Sequence, residues 1–155
     1  MSSAFEGDLI RPLGLVTLYA AYAEGELDLL IDTLSVDSLY DNAQRQWPLG
    51  RKLSHALKLI RRFKAPSLKE LESVLMNGCG LFLERNALVH GQLFAGGRLV
   101  SNRKDIPEKR ISPQSIDELS NAIFSWKEQL FINRCRHLLP LIEARIEGDT
   151  QPASA

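Results

Sequence analysis

The chain has 155 residues, 45% of them hydrophobic, and its 19 basic side chains balance 19 acidic ones. That is enough apolar material for one core in a single domain, and it excludes both a disordered composition and the strongly basic balance of a protein that coats nucleic acid. Cys79 and Cys135 stand far apart in apolar patterns, so they read as buried thiols of a reducing cytoplasm, and no zinc spacing occurs.

The longest apolar run, Leu13 to Ala23, is too short to span a bilayer, and Glu6 and Asp8 precede it where a signal peptide would be basic. The expectation is a cytoplasmic protein without a membrane partner. Pro12 suits a helix start, and Leu15, Leu18, Tyr19, Tyr22, Leu27, Leu30, Ile31 and Leu34 recur at helical spacing, which predicts a long first helix. Its polar positions Glu24, Glu26, Asp28 and Asp32 are all acidic. They read as a solvated face or, alternatively, as an acid lent to an active cleft. Residues 35–48 read as a connector with at most one short helical turn.

From Leu49, the spacing of Leu53, Ala56, Leu57 and Ile60 marks a second helix whose other face carries Arg51, Lys52, Lys58, Arg61 and Arg62, with His55 among them. This basic stripe has two readings: a solubilising face that pairs with the acidic first helix, or a surface that tracks RNA phosphates. Ser67 and Glu70 form a capping-box pattern that opens a third helix, with an apolar seam of Leu68, Leu71, Val74, Leu75, Cys79, Phe82 and Val89. Gly78 and Gly80 each disfavour a helix interior by about 1 kcal/mol. Either the helix breaks there or another backbone approaches closely, and the continuous seam favours close packing.

The third helix ends in Glu84-Arg85-Asn86-Ala87-Leu88-Val89-His90-Gly91, with Gly91 expected as a left-handed stop and His90 in the last turn, where the helix dipole favours positive charge. Gly96-Gly97 then predicts a small β-hairpin, and Arg103 to Arg110 a polar loop. Ser112-Pro113 opens a last helix with a seam of Ile116, Leu119, Ile123, Trp126, Leu130, Leu138, Leu141 and Ile142. Pro140 predicts a kink near Arg136 to Leu139, and residues 148–155 read as a disordered tail behind a single domain spanning 1–147.

No catalytic triad, phosphate-cradling glycine loop or cofactor motif can be argued from these residues. What remains is Arg85, Asn86 and His90 beside a basic helix. A guanidinium binds phosphate as a fork and neutralises charge developing on phosphorus, while an imidazole moves protons near neutrality. The plainer alternative is that the three cap carbonyls, pair with the acidic helix, or are simply solvated.

The helix order together with the ERNALVHG stretch resembles the HEPN superfamily (higher eukaryotes and prokaryotes nucleotide-binding), in which Arg, a polar residue, intervening positions and His mark active enzymes. The resemblance covers roughly residues 12–147. It implies an all-α fold, an antiparallel four-helix bundle, and the hairpin read from Gly96-Gly97 would be an insertion between its third and fourth helices. It also implies a homodimer acting as a metal-independent endoribonuclease of the kind found in toxin–antitoxin and defence systems. RNA would be its substrate, an antitoxin or other regulatory protein a further partner, and no metal or other cofactor would be required. By that likeness Arg85 binds the scissile phosphate, His90 transfers or orients a proton, and Asn86 holds the cleft. The alternative the resemblance leaves open is a non-catalytic nucleotide- or protein-binding module.

Overall fold

A computed structural model describes residues 9–94 and 97–150. Among them, the chain is mostly helical: α1 (Ile10–Leu34), a short α2 (Asn42–Arg45), α3 (Leu49–Phe63), α4 (Lys69–His90), α5 (Pro113–Asn133) and α6 (Leu139–Thr150). A small antiparallel sheet, β1 (Gln92–Phe94), β2 (Arg98–Val100) and β3 (Lys109–Arg110), lies between α4 and α5. No helix among the described residues is long and apolar enough to cross a membrane.

α1 packs on α3 and α5, and α4 packs on the same two helices. The directions correct the expectation of an antiparallel bundle. Tyr19 meets Phe124, Glu26 meets Arg134 and Asp37 meets Arg145, so contacts advance together along α1 and the α5–α6 segment, and the two run parallel. Lys52 reaches Glu24 and Asp28 while Leu59 and Phe63 share a cleft with Leu34, so α3 is parallel to α1 as well. Only α4 opposes its neighbours, with Glu72 beside Arg61 and Glu70 beside His137. The physical cause is the connector at residues 35–48. A short link between helices would force antiparallel neighbours, but this one returns along α1, tied by Tyr40 Oη donating to Asp28 (2.6 Å) and Arg45 bonding Asp32 (2.6 and 2.8 Å).

The core seam of α1 is Val16, Ala20, Ala23, Leu27, Leu30, Ile31 and Leu34, whereas the expected Leu18 and Tyr22 are exposed. Small alanines let neighbouring helices approach closely, and pattern reading ranks them below the larger side chains that face outward. On α4, Cys79 and Val89 are likewise exposed, and Cys135 is only half-buried, so neither cysteine is the buried thiol expected; both are free.

The start of α4 departs from the capping box expected at Ser67. Pro66–Leu68 form a 3-10 turn, and Leu68 caps α4 without a side-chain bond. Proline at the first position of that turn favours the tighter coil and leaves Ser67 outside the capping geometry. Ser112 is the N-cap expected of it and, beyond that expectation, it also forms a capping box with Ser115.

α4 is continuous through Gly78 and Gly80, as the close-packing reading expected. A Cβ on Gly78 would lie 2.6 Å from Cζ2 of Trp126, whose indole N–H donates to the Val74 carbonyl (2.6 Å), while nothing lies within 4 Å of a Cβ on Gly80. Close approach explains the first glycine only, and what approaches is a side chain rather than the backbone expected.

Near Pro140 the helix relaxes into a π segment, Arg134–Leu138, which absorbs the missing amide and the ring's clash with the preceding turn. α6 then runs through Thr150, so Gly148 to Thr150 are helical where a disordered tail was expected; residues 151–155 lie outside the described ones. A single glycine disfavours a helix by about 1 kcal/mol, too little to stop one already propagating.

Candidate functional site

α4 delivers the motif to the end of the molecule where the sheet begins. Arg85 is half-buried, and its Nη1 donates to Asn86 Oδ1 at 2.7 Å. Its Nε is enclosed without a partner among the described residues. No carboxylate among the described residues pairs with this guanidinium, in contrast to Arg45, Arg61, Arg98, Arg103, Arg134 and Arg145. Its neighbour Glu84 turns instead toward Lys109, at 3.9 Å.

His90 is the last residue of α4 and is exposed, and its backbone carbonyl accepts from Asn102 Nδ2. The next residue corrects the expected left-handed stop, because Gly91 has φ −77° and ψ 163°, an extended backbone open to any residue. Glycine is needed there for space. A Cβ would overlap the Ala87 carbonyl oxygen and lie 2.8 Å from Leu99 Cδ1, so its absence lets β2 close against the end of α4. Arg85 and His90 are separated by about 140° around the helix, whereas Asn86 and His90 share a face. One chain thus presents an Asn–His face, with Arg85 reaching toward it through Asn86.

The basic stripe divides in the structure. Lys52 is removed from it: its side chain is 1% exposed, and its ammonium bonds Glu24 (2.8 Å) and Asp28 (2.9 Å). Burial lowers the Lys52 pKa, but the hydrogen bonds to the two carboxylates outweigh it and the net shift is upward, so the ammonium form is held. The helix period is the cause, since at 100° per residue Lys52 lies within about 40° of the buried Ala56 and Leu59, and about 80–100° from Arg62 and Arg51. Asp28 also accepts from Tyr40, and burial followed by that bond pushes the phenol well above its ordinary value.

Arg51 stacks over the Trp47 ring at 4.0 Å, and Arg61 pairs with Glu72 at 2.6 Å. Lys58 and Arg62 are exposed and have no ion-pair partner among the described residues. His55, expected at the surface, is half-buried with its ring edge-on to Trp47 at 5.3 Å. Burial, then Arg62, Lys58 and Arg51, hold its imidazole below the ordinary histidine value. His137 is half-buried, with Glu70 at 3.9 Å.

The Arg61 end of the stripe lies away from the motif. Arg61 is level with Glu72, eighteen residues before His90 on α4, which at 1.5 Å per residue is a separation of about 27 Å along the axis. Asn102, which ties the polar loop to the end of α4, and β3 carry no sequence pattern that would have singled them out. Compared with protein-family models, curated proteins and solved structures, the chain matches none.

Proposed function

We propose that the chain is a HEPN-type, metal-independent endoribonuclease that acts as a homodimer, its four long helices forming the bundle of that superfamily. The observation that carries this reading is the state of Arg85: its guanidinium is held by Asn86 and paired with no carboxylate among the described residues, at the helix end that also exposes His90. A positive fork kept unneutralised in a half-buried setting is suited to an anionic oxygen, and most other arginines of this chain are already paired.

In the reaction, the ribose 2′-hydroxyl attacks the adjacent phosphorus, the bond to the 5′-oxygen breaks, and a 2′,3′-cyclic phosphate and a 5′-hydroxyl result. Arg85 stabilises the charge on the non-bridging oxygens, and His90 accepts or supplies the transferred proton. The wide angle between them on one helix supports a cleft shared by two copies, in which the Arg85 of one chain serves with the His90 of the other. In a cell, such an enzyme fits a cytoplasmic toxin or defence effector restrained by an antitoxin or other regulatory protein.

The test is cleavage of single-stranded RNA in the presence of EDTA, comparing wild type with Arg85→Ala and His90→Ala prepared identically. Each substitution is expected to reduce the rate about 10²- to 10³-fold, the usual effect of removing one such group. Wild-type product should carry a 2′,3′-cyclic phosphate. Equal cleavage by all three proteins, or none by any across a broad RNA panel, transfers the assignment to a non-catalytic nucleotide- or protein-binding module.

A further inference from the structure

A cavity of about 440 Å³ opens between α4, the sheet, the 101–109 loop and the start of α5. Its helical wall includes Leu83, Glu84, Ala87 and Leu88, residues interleaved with Arg85 and Asn86 but facing another way. The deep wall is aliphatic, built from Leu99, Ile111, Ile116 and Leu119, all buried. Among the described residues, no aromatic ring lines it.

That lining selects a class of occupant. Nucleobases are held largely by stacking on aromatic faces, which this cavity does not offer, whereas an alkyl chain gains from removing its own apolar surface from water. Charge at the rim narrows the class further. Arg103 pairs with Asp105 (2.6 Å), Glu108 with Arg98 (3.5 Å) and Glu84 faces Lys109 (3.9 Å), so the rim offers an ionic headgroup no unpaired counter-charge among the described residues. Ser101, whose Oγ accepts from the Arg103 amide, also lines the cavity, and its hydroxyl proton can be donated to an uncharged oxygen. For size, an apolar cavity of about 150 Å³ takes up benzene, so one roughly three times larger fits about 15–20 non-hydrogen atoms.

We propose that this cavity is a binding site for a neutral, predominantly aliphatic small molecule of that size, with an oxygen-bearing head at the rim. The proposal stands independently of the ribonuclease reading. It is tested by calorimetric titration with monolauroylglycerol, dodecanoate and dodecyltrimethylammonium, each below its micelle threshold. The neutral probe is expected to bind saturably with one site per chain, and both charged probes at least tenfold more weakly. Leu83→Trp, at a position 54% exposed, and Ile106→Trp, on the covering loop, enlarge lining side chains and leave the buried wall residues unsubstituted. Either should weaken the neutral probe at least tenfold with the helical circular-dichroism signal and melting temperature unchanged, and such a loss in either folded variant supports the site. Absence of saturable binding by the neutral probe, charged probes binding as tightly, or wild-type affinity in both variants overturns it.

Discussion

Two polar regions of this molecule use the same residue types to opposite ends. Along the α1–α3 seam, Lys52, Glu24, Asp28 and Tyr40 satisfy one another, and Arg45 closes on Asp32. At the C-terminal end of α4, Arg85 is held only by an amide oxygen and the His90 side chain points to solvent without a partner among the described residues. The first arrangement neutralises its charges in fixed geometry and so acts on stability; the second leaves charge and titratable nitrogen available to a ligand. A basic residue is therefore informative about function only once its acid partners are known.

The largest effect that can break this contrast is at Lys52. Lys52→Met leaves Glu24 and Asp28 facing each other without their cation and is expected to destabilise the fold by about 3 kcal/mol, the lower end for a buried pair because Glu24 remains partly exposed. Urea unfolding measures it. A loss no larger than that of Arg62→Ala, which should stay within about 0.5 kcal/mol, would make the seam ordinary surface.

The two glycines of α4 sharpen the same comparison between a committed and an open position. Gly78→Ala should destabilise by about 1–3 kcal/mol, because the added methyl meets the Trp126 indole. Gly80→Ala faces open space and should instead stabilise by up to about 1 kcal/mol. Thermal melts of the two variants shifting in the same direction would contradict the packing described.

For RNA affinity, the exposed part of the stripe and its buried member should separate. Removing Lys58 and Arg62 together is expected to lower the slope of log affinity against log salt by roughly 1.4, at about 0.7 per phosphate on a single strand, while Lys52→Met leaves the slope unchanged. Filter binding across a salt series decides it, and an equal slope in all variants would make the stripe purely structural.

The smallest expected effect concerns pH. Since the folded His55 sits below its ordinary value, the unfolded chain takes up the proton first. Stability is then fully present above the ordinary pKa of about 6.5 and declines as pH falls from there through the folded value. His55→Gln should flatten that decline in unfolding midpoints taken at about pH 7.5 and 5.5. The same decline in both proteins would assign it to other groups.

The long helices were legible in the sequence because an amphipathic helix writes its period locally: the seam of α5, the Ser112-Pro113 start and the disturbance ahead of Pro140 depend on neighbours within a few residues. That Arg85, Asn86 and His90 fall within a turn and a half of one helix was legible for the same reason, since helical spacing is local. Direction was not. That α1, α3 and α5 run parallel was decided by how residues 35–48 fold back on Asp28 and Asp32, contacts made across the chain. The acids that Lys52 meets, the exposure of Cys79, the pairing of β3 with β2, and the space that Gly91 leaves for Leu99 are likewise tertiary outcomes. Local sequence sets which way a side chain leaves its own backbone, and only packing sets what it meets there.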